Sequence, residues 1–125
     1  MMQTIQTEKA PAAIGPYSQG IVSNGLLFTA GQIPLVPATG TVIDGGITEQ
    51  TRQVLANLDG ILAAAGTSWN KAVKTTVFLT DLNDFAAVNE IYGKHLNGAK
   101  PARSTVQVAG LPKGVKIEIE LVAEI

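Results

Sequence analysis

The 125-residue sequence contains no cysteine and only one histidine, His95. The lack of cysteine excludes a disulfide scaffold, a thiolate metal site and a cysteine nucleophile. A lone histidine excludes a metal site built from several histidines. Neither a GxGxxG motif nor a P-loop occurs in the chain, so no nucleotide-binding motif is recognisable.

Charge is also scarce, with 15% charged residues against 46% apolar ones, a net charge of -1 and no Lys/Arg run. Nucleic acid is therefore not an expected partner, because binding it needs a basic surface. The length and even composition predict a single domain over 1–125. With so little charge, we expect part of the apolar surface to be covered by other subunits.

The sequence also lacks membrane and export signals. Its first residues do not combine a charged segment with an apolar stretch, as a signal peptide would. Its apolar runs are too short to cross a bilayer. We expect a cytoplasmic protein with no membrane association.

Periodicity predicts the order β-β-β-α-β-α-β-β. Two helices on one face of a mixed sheet would form an α/β (α+β) two-layer sandwich whose other sheet face this chain leaves open. Bounds are predicted for five of the six strands, 19–23, 26–31, 73–80, 104–109 and 115–121. Asn24-Gly25 is the expected hairpin turn between the first two, and 32–46 is expected to be a long loop. Thr48 is the expected cap of the first helix and Gly66 its stop, and Asn83 or Asp84 is the expected cap of the second.

Arg103 is the most informative charged residue. It opens a predicted strand after Pro101, and two interpretations stay open on its chemistry alone. One is a surface ion pair, which contributes little. The other is a fixed fork for a carboxylate, a geometry that guanidinium suits and ammonium does not.

Other polar residues give weaker signals. Glu118 and Glu120 alternate along a predicted strand, which is typical of a solvated face but also fits a cleft in which one carboxylate positions a water. His95 falls in the last turn of a predicted helix, where partial positive charge is favourable. No serine has a visible partner base, so a hydrolase triad is not expected.

Four motifs resemble those of the RidA family, the reactive-intermediate imine deaminases. They cover nearly the whole chain, in order. The matching segments are 12–20 (AAIGPYSQG), 30–34 (AGQIP), 74–82 (KTTVFLTDL) and 101–106 (PARSTV), the last followed by Leu111-Pro112 and 117–120 (IEIE).

The resemblance implies a chorismate-mutase-like sandwich that assembles as a homotrimer with sites between subunits. It also implies an enzyme, a 2-iminobutanoate/2-iminopropanoate deaminase, which hydrolyses 2-imino acids to 2-oxo acids and ammonia without a metal or organic cofactor. The physical requirement is modest. A protonated imine is already electrophilic, so the site needs to hold the carboxylate, orient a water and accept its proton.

The family's functional positions map onto seven residues of this chain. The resemblance makes Arg103 the carboxylate fork, Glu118 the residue near the water, and Thr105 a supplier of its backbone carbonyl. The expected substrate contacts also include Tyr17, Ala30, Gly31 and Asn89. Ala30 stands where many members have serine, and Thr105 where many have cysteine. These differences bear on substrate preference and remove a thiol.

Three alternatives stay open. One is an endoribonuclease that inhibits translation, which the missing basic stripe and histidine pair argue against. The second is a binding or regulatory protein that holds a small carboxylate without turnover. The third is chaperone-like holding through exposed apolar surface.

Overall fold

The computed structural model describes residues 2–125 and is built on one six-stranded mixed sheet. The sheet strands are β1 Gln3–Ile5, β2 Gly20–Ser23, β3 Leu26–Thr29, β6 Ala72–Leu79, β7 Ala102–Gln107 and β8 Ile117–Glu124. Their order across the sheet is β1-β2-β3-β8-β6-β7, with β6 and β7 parallel and every other pairing antiparallel. The expected α+β fold class is confirmed.

Two helices, α1 Ile47–Ala64 and α2 Phe85–Leu96, pack against one face of this sheet. Alternate residues of β6 and β8 turn toward them, and Val77, Leu79 and Ile119 are almost fully buried there. On α1 the apolar positions recur at helical spacing, with Val54, Leu58 and others completely buried. The core therefore lies between the sheet and the two helices, as the periodicity predicts.

The turn between β2 and β3 follows directly from its sequence. Asn24 and Gly25 have φ angles of 52° and 77°, the two successive positive values of a type I′ turn. This turn sets the register of the hairpin, in which Ser23 lies opposite Leu26. At the C-terminal end of α1, Gly66 has a φ of 74°, which confirms it as the helix stop.

Two local predictions are wrong. Segment 32–46 is more than a loop, because Leu35–Val36 (β4) and Thr41–Val42 (β5) form a separate hairpin and Gln32 bridges to Ile119. The cap of α1 is Gly46 instead of Thr48. The Glu49 carboxylate, in the first turn of the helix, accepts a hydrogen bond of 2.8 Å from the Gly46 N–H. It thereby gives a partner to a backbone N–H at the helix start.

The sheet face away from the helices is open in the single chain. It carries Glu118 and Glu120 together with apolar side chains, of which Phe28 and Val106 are 45% and 41% exposed. No helix within residues 2–125 has the length and apolar character needed to span a membrane.

Gly60 allows the N-terminal segment to cross α1 closely. Replacing Gly60 by alanine should therefore change stability in the opposite direction from the same replacement at Gly93 of α2. A Cβ at Gly60 would lie 2.7 Å from the backbone oxygen of Lys9, whereas a Cβ at Gly93 of α2 would meet nothing within 4 Å. Alanine in a helix is favoured over glycine by about 1 kcal/mol, but overpacking against backbone costs about 1–3 kcal/mol. We expect Gly60→Ala to lower the urea midpoint and Gly93→Ala to raise it, at matched protein concentration. Equal shifts for both variants would contradict this packing.

Candidate active site

Arg103 lies on the helix-facing side of the edge strand β7. It is opposite Thr75 of β6, a fully buried core residue. Its Nη1 donates a hydrogen bond of 2.8 Å to Oδ1 of Asn89. Its guanidinium carbon also lies 5.0 Å from the ring centre of Tyr92 and 5.3 Å from that of Phe85, within the range of cation–π attraction.

Helical spacing explains why these three partners meet the arginine. Phe85, Asn89 and Tyr92 are separated by four and three positions, so they share one face of α2. Tyr92 is fixed in turn by a buried hydrogen bond of 2.7 Å between its hydroxyl and that of Thr75. Burial raises the pKa of the Tyr92 phenol, against the opposing effects of the Thr75 hydrogen bond and the Arg103 charge. The phenol therefore stays neutral, and its hydrogen bond to Thr75 holds the Tyr92 ring in place.

No Asp or Glu among residues 2–125 forms an ion pair with Arg103. The surface ion-pair interpretation thus has no partner in this part of the chain. Arg103 is exposed, and its only side-chain hydrogen bond there uses one nitrogen. A guanidinium has five N–H donors, so most of this fork is free to bind an anion.

Glu118 lies on the opposite, open face of the sheet, half-buried on β8. Burial, and then the charge of Glu120 on the same face, raise the pKa of the Glu118 carboxyl above its ordinary 4.5. Gly31 makes room for this side chain, since a Cβ there would overlap Glu118 Oε2. The structure therefore brings Glu118 and Gly31 together.

Strand alternation keeps Arg103 and Glu118 apart within one chain. Arg103 is opposite Thr75, and Glu118 is opposite Phe78. Thr75 and Phe78 are three positions apart on the same strand, and side chains an odd number of positions apart point to opposite faces. The carboxylate fork and the raised-pKa carboxyl therefore lie on the two sides of one sheet.

The remaining predicted positions fall into different places. Thr105 follows Arg103 on the same face of β7, and its hydroxyl oxygen is buried without a hydrogen-bond partner within the described chain. Ala30 lies next to Gly31 and donates its N–H to the Gln19 carbonyl at 2.9 Å. Tyr17 is 54% exposed on the N-terminal loop, at a separate open cavity of about 1030 Å³.

His95 interacts with Asp59, which is not one of the predicted site residues. Its Nε2 lies 2.9 Å from Asp59 Oδ1, and the indole N–H of Trp69 donates to the same oxygen at 2.7 Å. This cluster ties α2 to α1 and the turn after it. Within residues 2–125, no three His, Cys, Asp or Glu side chains are grouped so that they could hold a metal ion.

The sequence alone does not reveal the aromatic support of Arg103 or the cleft beside it. Phe85 and Tyr92 stand in it as apolar positions at helical spacing, and only the structure shows that their rings contact the guanidinium. A cleft of about 450 Å³ opens from Arg103 along α2 and includes Lys100. The spacing of Phe85, Asn89 and Tyr92 indicates that they share one face of a helix. Only the parallel pairing of β6 with β7 shows that Arg103 lies beneath that face.

Comparison with known proteins defines the class of this molecule. Residues 7–125 match the family described as endoribonuclease L-PSP, and the chain belongs to this family, which includes the RidA deaminases. A RutC family protein, slr0709, from Synechocystis is 56% identical over 124 residues, covering 98% of this chain and 95% of that protein. The 2-iminobutanoate/2-iminopropanoate deaminase of Mus musculus is 50% identical over 121 residues, covering 97% and 90%. The crystal structure of the Rid-family protein YyfA from Yersinia pestis superposes with a TM-score of 0.98 at 50% identity, covering 100% of both chains.

The environment of Glu118 predicts a pH dependence of stability. Its folded-state pKa is above the ordinary 4.5, so the folded state binds the proton more tightly than the unfolded state. Stability from this group is therefore present at low pH and lost as pH rises from 4.5 through the folded pKa. We expect Glu118→Gln to remove this part of the slope in urea midpoints measured from pH 4.5 to neutrality. Glu8→Gln, at an exposed position, controls for the charge change, and an unchanged slope in Glu118→Gln would refute the assignment.

Proposed function

We propose that this protein is a hydrolytic deaminase that converts small 2-imino acids, such as 2-iminopropanoate and 2-iminobutanoate, to 2-oxo acids and ammonia. The observation that carries the proposal is the arrangement of Arg103. It is an exposed guanidinium held by Asn89 and two aromatic rings, without a carboxylate partner in residues 2–125. The name of the mouse relative, at 50% identity over almost the whole chain, supports the same activity.

Arg103 would bind the substrate carboxylate through two parallel N–H···O bonds. Its bond to Asn89 and its contacts with Phe85 and Tyr92 fix the plane of the guanidinium before substrate arrives. A bidentate pair fixes direction as well as position. It therefore determines which face of the imine carbon is presented to water, which is a positional contribution to catalysis.

Glu118 would orient the attacking water and accept its proton. The raised pKa makes this carboxyl a better proton acceptor than an ordinary glutamate. Water adds to the carbon of the protonated C=N bond as Glu118 accepts one of its protons. That proton then passes to the amine nitrogen, and the C–N bond breaks to release ammonia while the hydroxyl proton leaves to Glu118 or solvent and a C=O bond forms. Gly31 gives Glu118 its space, and the Thr105 carbonyl, Ala30 and Tyr17 are the proposed further contacts.

The site would be shared between subunits of a homotrimer. Since Arg103 and Glu118 lie on opposite faces of one sheet, one chain does not direct both at the same small substrate. A neighbouring copy packed against the open face supplies the missing half. The exposed Phe28 and Val106 on that face are apolar area for such packing to bury. The number three comes from the family resemblance.

Arg103→Lys should impair imine hydrolysis almost as severely as Arg103→Ala. Lysine keeps the charge but makes no fork, and the resulting misplacement costs about 100-fold in rate. The assay couples a threonine dehydratase, which generates the imine, to semicarbazide, which traps it, and measures how added protein competes. Arg52→Lys, on the exposed side of α1, is the matched control. Retention of most activity by Arg103→Lys would contradict the bidentate role, provided that melting shows the variants intact.

Assembly gives an independent prediction. Multi-angle light scattering at micromolar concentration should give three times the chain mass, because the proposed sites need two copies. Phe28→Glu, which places a charge on the open sheet face, should shift the mass toward the monomer and reduce hydrolysis. A stable monomer that turns over imines at the wild-type rate would contradict the shared site.

A further inference from the structure

The cleft beside Arg103 contains a second cation. It has a volume of about 450 Å³, in the range of pockets that hold ligands considerably larger than a four-carbon acid. It runs between the C-terminal half of α2 and the segment that leads into β7. Lys100 and Arg103 line it on one side, and Asn89 and Tyr92 of α2 on the other.

The charges around this cleft favour an anion with two negative groups. Lys100 and Arg103 both line it, and no Asp or Glu does. The C-terminal end of α2 contributes about half a negative charge, which two full positive charges outweigh. Glu90 of α2 is already paired with Lys94 at 3.1 Å. Among residues 2–125, Lys100 forms no ion pair and no side-chain hydrogen bond.

We propose that Lys100 makes this a site for 2-imino acids that carry a second carboxylate, as the imines of aspartate and glutamate do. The inference rests on the proposed deaminase function and deepens it. Arg103 holds the carboxylate next to the imine carbon, where direction matters. Lys100, three residues earlier, attracts the side-chain carboxylate as a flexible point charge, for which an ammonium is sufficient.

The two roles predict different kinetic effects. The second carboxylate is remote from the reacting carbon, so its contact with Lys100 contributes binding that is similar in the ground state and the transition state. Loss of such a contact raises KM more than it lowers kcat. A hydrogen bond to a charged group accounts for about tenfold in affinity or more.

The test compares a dicarboxylic imine with a monocarboxylic one. An amino-acid oxidase acting on glutamate supplies 2-iminoglutarate, a threonine dehydratase supplies 2-iminobutanoate, and semicarbazide trapping follows both. Lys100→Gln should lower kcat/KM for 2-iminoglutarate about tenfold more than for 2-iminobutanoate, mainly through KM. Lys113→Gln, an exposed lysine in the turn before β8, should change neither. Equal effects of Lys100→Gln on both imines would overturn the proposal. So would a wild type that hydrolyses 2-iminobutanoate but not 2-iminoglutarate.

Binding of the products separates this inference from the deaminase function. Calorimetry with 2-oxoglutarate and 2-oxobutanoate needs no turnover. Preferential weakening of 2-oxoglutarate binding by Lys100→Gln supports the second-carboxylate site even if no imine is hydrolysed, in which case the deaminase function alone fails. If 2-iminobutanoate is hydrolysed and Lys100→Gln weakens both oxo acids equally, the deaminase function stands and this inference fails.

Discussion

The two-residue period of a β-strand is the constraint on which the proposed site depends. Arg103 and Glu118 lie in one sheet, but their partners on β6, Thr75 and Phe78, are an odd number of positions apart. The fork is therefore on the helix side and the carboxyl on the open side. A small substrate that contacts both must lie between two copies of the chain. Assembly and chemistry are linked in this account, since the open face that one chain leaves uncovered also carries half of the site.

The helix layer has a role beyond covering the core. The face of α2 that packs on β6 and β7 presents Phe85, Asn89 and Tyr92 to Arg103, and the Tyr92 hydroxyl is anchored on Thr75 of the sheet. The guanidinium is thus oriented by parts of the fold that are themselves buried or hydrogen-bonded. Such preorganisation reduces the entropy lost when a carboxylate binds. On the other face, Glu118 occupies space that only a glycine at position 31 leaves free.

The sequence was sufficient for the fold class and for the local elements with strong signals. Asn24-Gly25, the apolar stripe of α1 and the alternation around Glu118 each predicted a feature that the structure contains. The cap of α1 and the hairpin within 32–46 were predicted wrongly, because Glu49 and short pairings act through contacts that periodicity does not encode. The register between neighbouring strands also could not be predicted from the sequence. Only the pairing of β6 with β7 and β8 shows which face each site residue occupies, and only the packing of α2 shows what supports Arg103.

Complementation between two inactive variants tests the shared site most directly. Arg103→Ala and Glu118→Gln would be prepared separately, then mixed in equal amounts, unfolded together and refolded. If each site takes its arginine from one chain and its glutamate from another, random assembly restores both residues in about a quarter of the sites. The account predicts about a quarter of the wild-type hydrolysis rate for 2-iminobutanoate in the mixture, with almost none for either variant refolded alone. A mixture as inactive as its components, although native mass spectrometry shows mixed assemblies, would show that both residues act within one chain. Wild-type activity of Glu118→Gln refolded alone would show that Glu118 has no part in the reaction.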